Sequence, residues 1–299
     1  MVRPVLRPVT QNSVMQITQW QTSRYLIDLA KPLVMGIVNV TPDSFSDGGR
    51  YFSPQDTASS ALAHCEQLVA DGADLLDIGG ESTRPGAPPV LAEEELRRVI
   101  PVLRHALTLG VPVSIDTYKP SVMQAALELG VDIINDVWAL RQAGALQAVA
   151  AHARCGVCLM HMHREPQTMQ AAPMEGDVVP QVRDFLNKRA AALRNAGIEA
   201  ERIVLDAGIG FGKTVAQNFS LLAHQRELLA LGYPLLAAWS RKSSLVAATG
   251  LAPDAAIDER RVPSVAAALL AVERGARVVR VHDVHETVQA LKVWRAAQA

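Results

Sequence analysis

The chain contains 299 residues, 49% of them hydrophobic and 20% charged, and its formal net charge is −1. This composition is sufficient for a large buried core, and the balanced charge disfavours nucleic acid or an anionic membrane surface as a partner. No segment approaches the roughly 18 uninterrupted apolar residues of a membrane-spanning helix, and no apolar run follows Arg3 and Arg7 as in a signal peptide. We therefore expect a cytoplasmic protein that neither crosses a membrane nor binds nucleic acid.

The N-terminal part of the chain is predicted as an extension, residues 1–32, that precedes one barrel domain, residues 33–299. Residues 24–29 suit a short strand within the extension. From residue 34 onward, short apolar runs that end in polar or turn-forming residues alternate with segments of helical period. The predicted strands are 34–39, 74–78, 112–116, 132–135, 157–161, 202–206, 234–239 and 277–281, and the helices that follow them are 57–70, 92–109, 121–129, 145–153, 178–195, 218–230, 263–274 and 283–297.

This regular alternation indicates the α/β fold class. Glycines such as Gly72, Gly130 and Gly275 stand at predicted helix ends, just before the next strand. Eight consecutive strand–helix units in one chain predict a single-domain (β/α)8 TIM barrel. A doubly wound open sheet is the alternative, but it rarely contains eight regular units.

Polar residues follow the apolar residues of the predicted strands. The first strand, for example, continues into the polar segment Asn39-Val-Thr-Pro-Asp-Ser-Phe-Ser-Asp-Gly-Gly49. The C-terminal ends of all eight strands meet at one mouth of a barrel, where buried polar groups need partners. The strand-end residues are Asn39, Asp77 with Glu81 to Arg84, Asp116, Asn135, Asp136, His161, Asp206, Ser240 to Lys242, Arg280 and His282.

Five of these side chains together suit a flat nitrogen heterocycle that carries phosphate. Asp116, Asn135 and Asp206 can bind ring N–H groups, and Lys242 can donate to a ring oxygen or nitrogen. Arg280 is planar, so it can stack on a ring and also hold a phosphate.

The remaining strand-end residues leave more than one interpretation open. His282 adds a donor suited to a polyanion, and Asn39 offers an oxygen suited to Mg²⁺. Capping of the following helix explains any single Asp, Asn or Ser, and for Asp136 capping and ligand binding both stay open.

The chain has three cysteines, and two of them, Cys155 and Cys158, form a C-x-x-C pattern that is followed by His161 and His163. A zinc site therefore has to be considered. The intervening residues are predicted as a buried strand, in which residues three apart face opposite sides. We expect core cysteines in a reducing compartment rather than zinc ligands.

The segment from Gly208 to Thr214 is similar to a phosphate-binding Walker A loop. That pattern needs glycine at the position of Ala207, and the spacing also differs from the dinucleotide-binding pattern. We interpret the segment as a glycine-rich turn before the sixth helix, in which the backbone passes close to a ligand.

Eight sequence blocks in one order resemble those of the dihydropteroate synthase family, and they span the chain from about residue 33 to 295. The blocks are NVTPDSFSDGG (39–49), DIGGESTRPGA (77–87), SIDTYKP (114–120), INDV (134–137), LMHM (159–162), LDAGIGFGK (205–213), SRKS (240–243) and RVHDV (280–284).

The resemblance implies condensation of 6-hydroxymethyl-7,8-dihydropterin diphosphate with 4-aminobenzoate to give 7,8-dihydropteroate and diphosphate. It further implies Mg²⁺ as cofactor and a homodimer. The implied positions are Asn39 at the metal, Asp116, Asn135, Val137, Met160, Asp206 and Lys242 around the pterin, Arg280 and His282 at pterin and diphosphate, Thr83, Arg84, Pro85, Phe211 and Ser243 around 4-aminobenzoate, and Phe45 in a closing loop. Asp116, Lys242, Arg280 and His282 are the expected catalytic residues.

Two other functions remain possible at this level. A related pterin-binding barrel transfers a methyl group from a methylated folate, and it would share the pterin pocket without needing the SRKS block. A barrel that binds pterin without catalysis would tolerate loss of Lys242 or Thr83, and the chain retains both.

Overall fold

The computed structural model describes residues 17–41, 54–83, 86–165, 168–169, 171–252 and 254–298. Eight parallel strands form a closed barrel in the order β10-β3-β4-β5-β6-β7-β8-β9, which confirms the predicted (β/α)8 architecture. The barrel strands are β3 (Leu33–Asn39), β4 (Leu75–Gly79), β5 (Val113–Asp116), β6 (Ile133–Asp136), β7 (Gly156–Met160), β8 (Ile203–Asp206), β9 (Leu235–Ala237) and β10 (Val278–Val281).

Helices surround the barrel on its outer side. Within the described part of the chain, none is long and apolar enough to cross a membrane. The helices are α1 (Pro54–Ala70), α2 (Ala92–Ala106), α3 (Pro120–Glu128), α4 (Ala145–Ala150), α5 (Val178–Asn195), α6 (Val215–Ala223), α7 (Gln225–Leu229), α8 (Ser243–Thr249), α9 (Arg261–Glu273) and α10 (Val284–Ala296).

The sixth helical segment differs from its prediction as one helix over 218–230. It begins three residues earlier, because the Thr214 hydroxyl accepts from the backbone N–H of Gln217 and the Gln217 side chain accepts from the backbone N–H of Thr214. It is then interrupted at His224, whose ring nitrogen lies 3.0 Å from the carbonyl oxygen of Ser220. The interruption gives two short helices, α6 and α7.

The alternation of side chains along the strands divides the barrel interior into two layers. The lower layer is apolar and contains residues such as Leu75, Ile133 and Val204. Residues two positions further along the same strands share the same face, so Asp77 and Asn135 belong to an upper, polar layer. The lower layer therefore supports the upper one. It consists of Met35, Leu75, Ile133, Cys158, Val204, Leu236 and Val278, with Trp20 and Leu29 from the N-terminal hairpin.

This hairpin closes the N-terminal end of the barrel. Its two antiparallel strands are β1 (Gln19–Gln21) and β2 (Leu26–Asp28). Trp20 is fully buried in the lower layer, and its indole N–H donates to the carbonyl oxygen of Arg202 at 3.0 Å. Access to the barrel interior is therefore blocked at the N-terminal end.

The two cysteines of the C-x-x-C pattern are buried and lie in different apolar clusters. Cys155 packs in the core between barrel and helices, and Cys158 packs inside the barrel. They face opposite sides of the strand, as the spacing predicts.

Candidate active site

The upper layer of the barrel is organised around an arginine that spans three strands. Arg280 on β10 donates through Nε to Oδ2 of Asp77 on β4 at 2.5 Å, and through Nη2 to Oδ2 of Asp116 on β5 at 2.8 Å. The amide Nδ2 of Asn135 on β6 also donates to Oδ2 of Asp77, at 3.0 Å. Four side chains that are far apart in sequence thus form one connected network at the C-terminal mouth.

The electrostatics of this network follow from its burial. Burial raises the pKa of Asp116 to about 7, and the positive charge of Arg280 opposes that rise. Burial alone lowers the pKa of Arg280, but Asp77 and Asp116 outweigh it, so the pKa of the guanidinium is raised. Arg280 therefore stays charged, while Asp116 can change its protonation state near neutral pH.

Asp206 lies in the same layer at the end of β8. Its side chain is 4% exposed, and Oδ1 accepts from the backbone N–H of Gly208 at 2.7 Å. Burial raises the pKa of Asp206, and the Gly208 N–H and the positive charge of Lys242 oppose that rise. A carboxylate has about four lone-pair sites, so Asp206 can accept further hydrogen bonds from a ligand.

The glycine-rich segment after β8 does not act as a phosphate loop. Lys213 is 3% exposed, and its ammonium donates to the carbonyl oxygens of Gly208 at 2.8 Å, Phe211 at 3.1 Å and His161 at 3.4 Å. A Cβ at Gly208 would lie 1.8 Å from the carbonyl oxygen of His161, and one at Gly212 would approach the backbone of the same neighbouring loop. Gly208 and Gly212 therefore allow the close approach of the loop after β7, and the predicted contact of this segment with a ligand stays a prediction.

A separate apolar cluster lies beside the polar layer. Its buried members are Val137, Met160, Met162, Met169 and Phe211, with Tyr118 and Trp138 packed against them. The ammonium of Lys242 lies 4.4 Å from the ring centroid of Phe211. This arrangement provides an apolar wall with a positive charge at its edge.

The loops after β9 and β10 are joined by direct contacts. The hydroxyl of Ser240 lies 3.0 Å from Nδ1 of His282 and accepts from its backbone N–H at 3.1 Å. Arg241, which has a positive φ of 60°, forms an ion pair with Asp283 at 2.7 Å. These contacts hold Lys242, the residue before α8, beside the end of β10.

The loop after β4 is anchored by a buried group of charges. The ammonium of Lys119 forms ion pairs with Glu81 and Glu95, and the hydroxyl of Tyr118 donates to Glu81 at 2.9 Å. Thr83 follows this anchor and is half-buried.

Comparison with known proteins adds to this geometry. The family model for pterin binding enzyme matches residues 35–282. A dihydropteroate synthase of Neisseria meningitidis serogroup C is 53% identical over 279 residues, which cover 93% of this chain and 96% of the relative. The chain belongs to the dihydropteroate synthase family.

Two solved structures of the dihydropteroate synthase family share both the fold and much of the sequence. The Xanthomonas albilineans enzyme with 4-aminobenzoic acid has a TM-score of 0.87 and 50% identity, and the match covers 95% of this chain and 99% of that chain. The Burkholderia cenocepacia enzyme complexed with 7,8-dihydropteroate has a TM-score of 0.83 and 52% identity, with 94% of this chain and 96% of that chain covered.

The residues indicated by the resemblance to dihydropteroate synthases fall into two groups. Those within the described part of the chain lie at the C-terminal mouth, and three lie outside the described residues. The first group is Asn39, Thr83, Asp116, Asn135, Val137, Met160, Asp206, Phe211, Lys242, Ser243, Arg280 and His282, and the second is Phe45, Arg84 and Pro85.

Two residues have roles that the sequence did not resolve. Asp136 is fully buried, and its two carboxylate oxygens accept from the backbone N–H groups of Trp138 and Leu140, each at 2.7 Å. It therefore caps the following turn rather than facing the barrel interior. The sequence identifies Asp77 only as a strand-end residue, yet in the structure it contacts both Arg280 and Asn135. Its spacing of two residues from Leu75 is the signal that it faces the interior.

Proposed function

We propose that the chain catalyses the condensation of 6-hydroxymethyl-7,8-dihydropterin diphosphate with 4-aminobenzoate, which gives 7,8-dihydropteroate and diphosphate. The observation that carries this proposal is the network of Asp116, Asn135 and Arg280 beside Asp206, in a chain about half identical to family members solved with 4-aminobenzoic acid and with 7,8-dihydropteroate. The network supplies acceptors for a flat N–H-rich ring and a cation for its leaving group.

The pterin is proposed to bind in the upper layer. The oxygens of Asp206 and Asn135 would accept from ring N–H groups, and Lys242 would donate to a ring acceptor. Val137 and Met160 are both 4% exposed and would pack on the ring as apolar walls. A largely desolvated pocket strengthens each of these hydrogen bonds.

The reaction is proposed to begin with departure of diphosphate. The C–O bond to the exocyclic methylene breaks, its electron pair leaves with diphosphate, and positive charge spreads from the methylene into the dihydropterin. The carboxylate of Asp116 would stabilise that charge, while Arg280 and His282 would stabilise the departing anion. The amine of 4-aminobenzoate then forms the C–N bond and loses a proton, so no covalent bond to the protein is needed.

Magnesium is proposed to take part through the diphosphate rather than as an ion held by protein side chains. Asn39 offers one amide oxygen at the end of β3. Among the described residues there is no group of three or more His, Cys, Asp or Glu side chains that could hold a metal. Mg²⁺ commonly keeps several waters and binds substrate phosphates, so a single protein oxygen fits this mode. When bound, the ion would neutralise charge on the leaving diphosphate.

The 4-aminobenzoate is proposed to bind above the pterin, between Thr83, Phe211 and Ser243. Phe211 belongs to the apolar cluster and can contact the benzene ring, while the hydroxyls of Thr83 and Ser243 can donate to its carboxylate. Arg84, Pro85 and Phe45 are proposed to complete this part of the site.

A diphosphate-release assay tests the proposed function. The purified chain is incubated with the pterin diphosphate and Mg²⁺, with and without 4-aminobenzoate, and 7,8-dihydropteroate is quantified in parallel. We expect diphosphate and dihydropteroate to form in equal amounts when both substrates are present. Absence of dihydropteroate under these conditions would refute the assignment.

We also propose that the chain forms a homodimer in the cytoplasm. Helices α9 and α10 pack together and expose Val262 (77%), Val293 (72%) and Leu270 (45%), which supports an apolar contact between two copies. Light scattering of the wild type and of a Val262→Glu variant tests this assembly.

The proposed location in the cytoplasm is supported by the cysteines. All three, Cys65, Cys155 and Cys158, are free thiols, as suits a reducing compartment.

A further inference from the structure

Asp77 is a buried carboxylate that connects two residues of the proposed pterin site. It is fully buried, and its Oδ2 accepts from both Nε of Arg280 and Nδ2 of Asn135, at 2.5 and 3.0 Å. These contacts link β4 to β10 on one side and to β6 on the other. Asp77 therefore acts beneath the ligand site without being among the residues expected to touch the ligand.

The contact with Asp77 determines which end of the Asn135 amide is free. A carboxylate that is paired with a guanidinium can only accept hydrogen bonds, so Asn135 has to turn its NH₂ group towards Asp77. Its carbonyl oxygen is then left as the group available to a ligand. The oxygen and the NH₂ group of an amide are nearly equal in size. Without Asp77, the Asn135 side chain can therefore bind in either orientation.

We propose that Asp77 is a positioning residue that sets the hydrogen-bond polarity of the pterin pocket. By binding the NH₂ group of Asn135, it makes Asn135 an acceptor, like the neighbouring carboxylates Asp116 and Asp206. A pocket floor of three acceptors selects a heterocycle edge that carries several N–H donors and disfavours an edge that carries acceptors. This inference rests on the proposed function and deepens it.

The same carboxylate orients the guanidinium of Arg280. Asp77 binds Nε and Asp116 binds Nη2, so two edges of the planar group are fixed. Removal of Asp77 leaves one of these contacts in place. We therefore expect removal of Asp77 to disturb the orientation of the Asn135 amide more than the orientation of the Arg280 guanidinium.

The test combines an isosteric variant with an exchange of the two partners. Asp77→Asn removes the charge and lets both amides turn. The double variant D77N/N135D exchanges amide and carboxylate, so one hydrogen bond between the strands is kept and an acceptor oxygen again faces the pocket. Ser114→Ala is the matched control, because Ser114 lies opposite Asp77 in the strand register and its buried Oγ has no hydrogen-bond partner within the described part of the chain.

Calorimetry with 6-hydroxymethyl-7,8-dihydropterin diphosphate and steady-state kinetics with both substrates give the readouts. For Asp77→Asn we expect the affinity for the pterin diphosphate to fall about tenfold, as for loss of one well-placed hydrogen bond in a buried site. The KM for 4-aminobenzoate should change less than about twofold, because that substrate is proposed to bind between Thr83, Phe211 and Ser243 rather than at Asn135. The exchanged double variant should recover most of the lost affinity, and Ser114→Ala should bind as the wild type does.

If the variants fold, three results would overturn the inference. One is wild-type affinity for the pterin diphosphate in Asp77→Asn, and another is an equal rise of both KM values, which indicates a general loss of structure. The third is a double variant that binds no better than Asp77→Asn. If Asp77→Asn does not fold, the double variant is used alone. The shift in its melting temperature on addition of the pterin diphosphate is compared with the shift of the wild type. A shift well below that of the wild type would also overturn the inference. Diphosphate release by the wild type is measured separately, so its failure refutes the proposed function and this inference with it, whereas failure of the variants alone refutes only this inference.

Discussion

Replacement of Asp116 by Asn tests the proposed stabilisation of charge most directly. The substitution keeps the shape and one acceptor oxygen for Arg280 but removes the negative charge. A unit charge about 4 Å from a developing cation contributes about 4 kcal/mol at an effective dielectric constant of about 20. Arg280, bonded at 2.8 Å, already offsets part of that charge. We therefore expect a loss of about 2 kcal/mol in the transition state, which corresponds to a fall in kcat of about 30-fold.

Steady-state kinetics with both substrates at pH 8 provide the assay, because Asp116 is then ionised in the wild type. The matched control is Asp132→Asn at the opposite end of the barrel. Asp132 is fully buried, whereas the Asp116 side chain is 12% exposed, and Asp132 also binds an arginine, with Nη2 of Arg24 at 2.6 Å. We expect this control to lower stability and to leave kcat unchanged. A kcat of Asp116→Asn within about threefold of the wild type would refute the role of the carboxylate.

The same side chain predicts opposite effects of pH on activity and on stability. The pKa of Asp116 is about 7 in the folded protein because of burial, against about 3.9 in an unfolded chain. Its charged form is populated as pH rises through about 7, so kcat/KM should rise over that range and the rise should vanish in Asp116→Asn. The stability that the raised pKa contributes is present below pH about 4 and is lost as pH rises towards 7. Denaturant unfolding at several pH values should therefore show a smaller decline in Asp116→Asn than in the wild type.

Three further substitutions separate binding from folding. Lys242→Ala should weaken pterin diphosphate binding about tenfold, and unchanged affinity by calorimetry would contradict its place in the pocket. Lys213→Met should lower the free energy of unfolding by about 2–4 kcal/mol, because three backbone carbonyls lose their donor. The exposed Lys188→Met on α5 is its control and should change stability little, so equal losses would contradict this reasoning. Trp20→Ala should lower the free energy of unfolding by about 3–5 kcal/mol while kcat in the folded protein stays within twofold, and a large loss of kcat would argue against its purely structural position.

The barrel could be predicted because its pattern is local. Each strand is a short apolar run with a polar end, and the alternation within Ile133 to Asp136 already places Asn135 on the face of Ile133. The interruption at His224 could not be predicted, because the hydrophobic period continues through it and only the backbone geometry shows the break.

The site could be predicted as a set of residues but not as a network of contacts. Residue type and strand-end position identify Asp116 and Arg280, whereas their hydrogen bond joins residues 164 positions apart and depends on barrel closure. Lys213 illustrates the same limit. Its sequence context already argues against a phosphate-binding loop, but only the fold shows that three backbone carbonyls bind its ammonium.

The two-residue step between the apolar and polar layers also restricts how sequences of this fold can change in length. Insertion of one residue within β4, β6, β8 or β10 would turn every side chain beyond it to the opposite face. The polar residue of that strand, which is Asp77, Asn135, Asp206 or Arg280, would then enter the core between barrel and helices. An apolar residue that now faces the helices would take its place above Leu75, Ile133, Val204 or Val278. Gains and losses of residues during evolution should therefore concentrate in the loops and outer helices, and the strand lengths should stay constant among functional descendants.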